Sequence, residues 1–359
     1  MIKKYQKYLI NVYIKTFIIV MIIFFGLSFV LNLFEELKFF EKYNVGTFYP
    51  LILTALNTPS IILELLPFIT LISSMFFFIF LNDRNEIEIL IANGINYLKV
   101  LFVVLIMTGL IGIISITAYY TLAAKLKSNY LIMKNKYTAG NEYLAIVNDS
   151  GLWIKEEING EVNIINAQNF KENILENITI SKLDNQFKTN KVIISPSGDV
   201  SKNIWKIKNA KIYDKDGSNK SLDKLEYNSN FNGEMISNLF SNLNSLNLLE
   251  LHNLSKTYKK IGYSTTEIKI HLNKMYSIPL YIILMAMIGS LVMLRLKQVK
   301  SKFFVIIIGV FLSVIVYYIN YFSILFGENE VLPVEISVWV PHLLLLLVCS
   351  LGMVRINEI

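Results

Sequence analysis

The sequence predicts a polytopic α-helical membrane protein with six transmembrane helices and an all-β, jelly-roll-like domain inserted between the third and fourth. Three observations predict it. Hydrophobic residues make up 54% of the 359 and charged residues only 17%, with mean hydropathy +0.49, whereas soluble domains carry roughly a quarter charged residues. Uncharged stretches able to cross ~30 Å of hydrocarbon, about 20 residues as a helix, occur six times. A long interval between the third and fourth has the opposite composition.

The six spans are Thr16–Phe34, Leu65–Leu81 with an apolar lead-in from Tyr43, Val100–Ala124, Met275–Leu294, Phe303–Gly327 and Ile336–Val354. The first is too long for a secretory signal and lacks a small-residue cleavage pattern, so it reads as a retained helix. The chain thus divides into residues 1–124 (spans one to three), 125–270 (β domain) and 271–359 (spans four to six). Lys125 to Lys269 holds 20 of the 31 lysines and 16 acidic residues. Its β-type runs are "EYLAIV", "GLWIKEEINGEVNII", "NITISKL", "KVIIS" and "IWKIKNAKIYD". Asn159-Gly160 and Asp216-Gly217 are hairpin signals, because these residues tolerate the positive φ of type I′ turns. About eight to ten strands at this spacing favour a sandwich or jelly roll. "SLNLLELHNLSKTYKKIG" follows as a helix through Leu246, Leu249, Leu254 and Ile261, stopped by Gly262.

Lysine and arginine in the short loops orient the chain. Lys3, Lys4 and Lys7 precede span one, Arg295, Lys297, Lys300 and Lys302 separate spans four and five, and Arg355 follows span six. Glu328, Glu330 and Glu335 occupy the loop between spans five and six. The bias places both termini in the cytoplasm and the β domain outside. The charged interruption "LNDRNEIEILIANGIN", Leu81 to Asn96, is then cytoplasmic. Asp83-x-x-Glu86 resembles a capping box. Ile87, Leu90 and Ile91 share one helical stripe, and Gly94 supplies the stop. The pattern predicts a helix of about ten residues, serving either as a solvated connector or as a knob for a separate cytoplasmic protein.

Several chemistries are excluded. No G-x-x-x-x-G-K-[ST] occurs, and "GSNKS" at Gly217 lies in a turn, so no P-loop is present. His252, His271 and His342 lack H-E-x-x-H spacing, no serine sits in a G-x-S-x-G elbow, and no metal site or cofactor is indicated. Cys349 is the only cysteine and lies within span six. The net charge of +7 comes almost wholly from lysine, with three arginines, Arg84, Arg295 and Arg355. That is a compositional bias and not a nucleic-acid site. Glu64, between Pro59 and Pro67, reads as lying near the outer interface, and Lys15 as snorkelling. These residues describe a non-catalytic membrane subunit.

"LPFITLISSMFFFIFLNDRNEIEILIANGIN" resembles the second helix and coupling segment of the lipopolysaccharide-export permeases, the LptF/LptG family. Pro67, Phe68, Glu86, Ala92 and Gly94 match its Leu-Pro-Phe, Ser-Glu-Leu and Ala-x-Gly pattern, with Asn85 where the family often has Ser. "KYLINVYIKTF" is similar to its N-terminal segment, with Lys7 for Arg. "GLWIKEE", "GYSTTEIKIHLNKMYSIPL" and "GENEVLPVEISVWVP" resemble the outer-domain Gly-x-Trp segment and the leads into spans four and six. The resemblance covers essentially the whole chain, and "LFEELKFF" with the Trp153 segment is closer to the LptG-like half.

The resemblance implies a heterodimer with a second, LptF-like permease over two copies of a cytoplasmic, LptB-like ATPase. The pair would lift lipopolysaccharide from the inner membrane of a bacterium and pass it through LptC/LptA-like periplasmic bridge proteins. ATP hydrolysis would lie in the partner subunit. Asp83, Arg84, Glu86, Ile87, Leu90, Ile91 and Gly94 would form the ATPase-coupling helix. The family's lateral gate selects spans one and five. Gly309, Ser313, Val316, Asn320 and Ser323 share one face of span five, and span one carries Asn32. Lys38, Lys42, Lys125 and Lys127 are the basic candidates for the lipid's phosphates, although relatives often have Lys where Asn32 stands. Alternatives from other classes are an exporter of another lipid or lipoprotein, and a mechanical transmitter that moves no lipid. The latter usually has four spans with its large domain after the first.

Overall fold

Apolar runs become long helices because hydrocarbon leaves each backbone amide no partner except its own helix. The computed structural model describes residues 3–43, 45–46, 48–137, 152–158, 161–171, 173–183, 189–215, 218–233, 236, 242–260, 264–296 and 301–357. In chain order the helices are α1 (Lys4–Phe40), α2 (Phe48–Asp83), the short α3 (Glu86–Ala92) and α4 (Tyr97–Ile114). A π-helical turn, Ser115–Tyr119, leads from α4 into α5 (Tyr120–Asn135). After seven strands come α6 (Leu248–Lys260), α7 (Thr266–Arg295), α8 (Lys302–Glu328) and α9 (Val334–Asn357). Six helical stretches are long and apolar enough to cross a membrane, including one continuous run through α4 and α5. All six expected spans are therefore present, most of them longer than their apolar cores. The expected apolar lead-in joins span two only from Phe48, as a single 36-residue helix; Tyr43, Val45 and Gly46 lie outside it. Pro59 and Pro67 do not end it, as packed neighbouring helices permit.

The chain divides into two compact units, residues 1–127 with 266–359, and residues 128–265. In the first, α2 and α7 are the inner helices: 67% of the most apolar stretch of α2 is buried, against 22% for α1 and α8. Small residues set the closest approaches. A Cβ on Gly112 would come 2.7 Å from Pro279 Cα, and one on Gly289 would meet Ser74 and the Leu71 carbonyl. Glycine at such crossings lets backbones approach where lipid offers no hydrophobic drive to association. Tyr13 joins α1 to α4 through a buried hydroxyl contact with Thr108 Oγ1 at 2.7 Å, and stands edge-on to Phe77 with centroids 5.8 Å apart. Hydrogen bonds between membrane helices are worth only about 0.6 kcal/mol each, so packing carries the assembly.

The second unit holds one antiparallel sheet, β1 (Leu152–Ile158), β2 (Glu161–Ala167), β3 (Asn169–Lys171), β4 (Ile174–Leu183), β5 (Thr189–Asp199), β6 (Ile204–Asp214) and β7 (Asn219–Asn228). The spatial order is β1-β2-β4-β5-β6-β7, with β3 on β4, a meander of sequence neighbours. Ile158↔Glu161 and Tyr213↔Asn219 flank the two expected hairpin turns, which themselves lie outside the described residues, as do "EYLAIV" and Gly262. Seven strands among the described residues replace the expected eight to ten. The strands are long because one crease crosses three of them without ending them. Asn177, Pro196 and Asn209 fall opposite one another in the register, and both asparagines have positive φ, 51° and 52°. The inward parity switches there, from Leu175 to Ile178 on β4 and from Ile207 to Ala210 on β6. Pro196 has no N–H for the ladder. Ser195 Oγ meets the local polar groups instead: it lies 2.5 Å from the Lys208 carbonyl and 3.0 Å from the Ser197 carbonyl, either of which can take its proton, and accepts from Ser197 N at 3.2 Å.

The creased sheet curls until its edge strands meet. Glu156 of β1 is 3% exposed and accepts from Tyr227 Oη at 2.7 Å on β7, from Ser229 Oγ at 2.8 Å and from Asn230 N at 3.0 Å. Inside the curl lie Trp205, whose indole donates to the Phe231 carbonyl at 2.7 Å, and a cluster that includes Ile154, Ile165, Ile180, Ile207 and Ile212.

Candidate coupling and lipid-contact sites

The charged interruption becomes a separate element because α2 ends at Asp83 and the backbone reverses through Asn85, which has φ 54°. Asparagine is among the few residues that occupy this left-handed region readily. The expected capping box is absent. Asn85 is the N-cap and makes no side-chain cap bond, while Asp83 pairs instead with Lys302 Nζ on α8. The carboxylate of Glu86 accepts from Tyr8 Oη, 2.8 Å from each oxygen, 78 residues away on α1. Arg84 lies over the Phe80 ring at 4.2 Å. The seven-residue α3 is thus fastened to α1 through Glu86, and the Asp83–Lys302 pair ties the end of α2 just before it to α8, although each contact is individually small.

The stop is as the glycine implied. Gly94 has φ +77°, its N–H donates to the Ile91 carbonyl at 2.8 Å, and Ile95 N donates to the Leu90 carbonyl at 3.0 Å. This paired pattern is a Schellman motif, completed by the apolar residues Leu90 and Ile95. Both pack against the cluster around Ile87, which is 1% exposed, with Leu9, Leu81 and Val100. The apolar stripe therefore splits. Ile87 and Leu90 anchor α3, while Ile91 and Ile89, the latter 58% exposed, stand outward. A rigid two-turn knob with an apolar tip is what this geometry provides.

A second cluster lies far along α1 from Tyr8. Lys127 Nζ donates to Asn57 Oδ1 at 2.6 Å, Asn57 Nδ2 donates to Asn32 Oδ1 at 3.3 Å, and Asn32 Nδ2 donates to Glu35 at 3.4 Å. Asn32 is 5% exposed. From Tyr8 to Asn32 is 24 residues of α1, or about 36 Å at 1.5 Å per residue, more than the ~30 Å hydrocarbon layer. The two clusters therefore lie at opposite ends of the spanning unit. Lys38 is exposed near the second, lining a cleft of about 450 Å³ with Phe34, Leu37, Glu41 and Pro50. Lys42 and Lys125 are exposed and outside this network.

The small-residue face of α8 points inward. A Cβ on Gly309 would come 2.6 Å from Met75 Cε and also meet Met75 Sδ; Ser313 and Val316 are buried, and Ser323 Oγ donates to the Ser337 carbonyl of α9 at 2.7 Å. Asn320 is half-buried, with a buried amide oxygen that has no hydrogen-bond partner. The outward face carries Phe311, Ile315, Tyr318 and Phe322. Glu64 is exposed on α2, close to Tyr317. His342 is buried edge-on to Tyr281, and His271 Nε2 lies 3.1 Å from Tyr120 Oη. Among the described residues no group of three His, Cys, Asp or Glu could hold a metal.

The structure brings together Glu86 with Tyr8, Asp83 with Lys302, and Asn32 with Lys127. It leaves Gly309 and Ser313 on an internal packing face. Tyr8 and Asn57 escaped sequence reasoning, since their partners are 78 and 70 residues away and neither sits in a local motif. Ile89 was missed because it falls outside the i, i+3, i+4 stripe. The sequence model of one family, described as lipopolysaccharide export system permease LptF/LptG, matches residues 7–355. No curated protein matches the chain.

Proposed function

The chain belongs to the LptF/LptG family of lipopolysaccharide export system permeases, and we propose that it works as the LptG-like half of a heterodimeric exporter. It is a multi-pass membrane protein with six spanning helices. In this reading an LptF-like permease is its partner, an LptB-like ATPase binds the α3 end, and LptC/LptA-like bridge proteins receive lipopolysaccharide beyond the β domain. Both termini and α3 face the cytoplasm, the β domain faces the periplasm, and the membrane is the inner one. The LptG-like assignment rests on "LFEELKFF" and the Trp153 segment.

One observation supports the coupling most directly. A single helix, α1, touches α3 through Tyr8–Glu86 and carries Asn32 into the lysine–amide cluster about 36 Å away. A displacement of α3 by the ATPase would be passed along α1 without an intervening loop. The lipid end joins apolar surface to lysine, matching acyl chains joined to phosphates. Lys38 and Lys127 are the cations offered there, with Lys42 and Lys125 nearby in sequence. The reading of α8 as the second side of the gate is supported by the amide oxygen of Asn320, which is buried without a partner in an apolar span, where such groups are costly.

The test uses photo-crosslinkers at Phe34, which is exposed beside Lys38, and at Asn320. Both should capture lipopolysaccharide in the assembled exporter. Lys38→Glu with Lys127→Glu should lower capture more than tenfold, since each lost charge-assisted contact is worth roughly 1.5–3 kcal/mol. Equal capture from Phe311, on the outward face, would refute the gate assignment.

A further inference from the structure

A cavity of about 900 Å³ opens between α7, α8 and α9 at the end of the spanning unit that bears α3. Its walls are apolar, with Leu291 from α7, Leu312 from α8, and Val348 and Gly352 from α9. Its two charged lining residues are Arg295 and Arg355. Each belongs to the last turn of its helix. A cation there complements the helix dipole, which accounts for either arginine alone but not for both on one cavity. In a chain with 31 lysines and three arginines, two of the three line this space. No carboxylate among the described residues pairs with either. Two other cations at this end are engaged elsewhere: Lys302 with Asp83, and Arg84 over Phe80.

We propose that this cavity binds an anionic glycerophospholipid, with its phosphate held by Arg295 and Arg355 and an acyl chain lying between α7, α8 and α9. The guanidinium fork matches phosphate geometry with two parallel hydrogen bonds, which a lysine ammonium cannot do. The volume falls within the range of about 300–1,000 Å³ found for small-molecule sites. Basic pockets between spanning helices at a membrane surface take anionic lipid headgroups. An apolar cavity behind the cations favours a lipid over a free anion, because the anion would leave the apolar walls unfilled. The site lies at the opposite end from Lys127 and Asn32, so it does not depend on the export reading.

Full-length protein purified in non-ionic detergent would be examined by native mass spectrometry with added phosphatidylglycerol or phosphatidylethanolamine. At least one phosphatidylglycerol should be retained under conditions that strip phosphatidylethanolamine. Arg295→Gln with Arg355→Gln should lower its occupancy at least tenfold, and the double Lys variant should restore only part of it. Val348→Trp, which keeps both arginines but fills the cavity, should also lower it. A crosslinker at Leu351 in the otherwise unaltered chain should capture lipid, a readout that does not depend on whether the arginine variants fold. Retention by the double Gln variant equal to the wild type, or equal retention of both lipids, would overturn the proposal. So would displacement by inorganic phosphate alone, which would make the site one for a free anion. Capture of a protein at Leu351 in place of lipid would assign the cavity to a partner chain.

Discussion

At Glu86 one carboxylate holds α3 to α1 and also stands at the base of the proposed ATPase knob. Tyr8→Phe removes the phenol that donates to it and should cost about 0.5–1.5 kcal/mol locally. Hydrogen exchange over residues 86–95 should rise while the rest of the helical unit keeps its protection. Glu86→Lys should do more, placing a cation beside Arg84 and opposite whatever basic group the ATPase presents. We expect it to insert and fold yet fail to co-purify with the ATPase; normal co-purification and lipid export would reduce Glu86 to a local fastener. Glu156 is the corresponding single residue in the β unit. Glu156→Ala leaves the buried Tyr227 and Ser229 hydroxyls without their acceptor, at about 1–3 kcal/mol for each unsatisfied group. Limited proteolysis should then cut the β unit faster and leave the helices intact.

At the scale of an element, glycine and asparagine decide where α3 and the sheet turn. Gly94→Val forces a β-branched residue to φ +77° and should cost at least about 1–2 kcal/mol, read as fraying of the last turn of α3. On the sheet, Asn209→Gly should be nearly neutral and Asn209→Val clearly destabilising, since only the second penalises the left-handed crease. On α8, Gly309→Val should collide with Met75, and Met75→Ala should relieve it. A double-mutant cycle on thermal stability would reveal a coupling of about 0.5–3 kcal/mol. Additive effects would mean that α8 does not rest on α2 at that point. A stripe of small residues read from sequence marks close packing without saying which surface is packed, and here it is α2 of the same chain.

For the whole molecule the consequential prediction is topology. Single cysteines at Asn159 and Glu330 should react with an impermeant maleimide in cells whose outer barrier has been removed. Cysteines at Asn85 and Lys300 should stay unlabelled until the inner membrane is opened. Cys349 is 1% exposed and should add little background. Reversed labelling would invert the proposed placement of α3, the β unit and the ATPase together. The bond between Asp83 and Lys302 keeps the end of α2 and the start of α8 on one side, so Asn85 and Lys300 must label alike.

Composition and spacing determined the six spans, the inserted antiparallel sheet and the glycine stop at Gly94, because each follows from local physics. Hydrocarbon demands long apolar helices, two-residue turns demand positive φ, and a left-handed C′ position favours glycine. Tertiary structure alone decided that Asp83 serves Lys302 and not a cap, that Glu86 belongs to Tyr8, and that the edge strands close on Glu156. The same holds for Arg295 and Arg355, which line one cavity although 60 residues apart in sequence, and for Asn32 and Lys127, which meet through Asn57. Such pairings are chosen by which helix packs beside which, and a side chain's neighbours on other elements leave no period or spacing in the sequence around it.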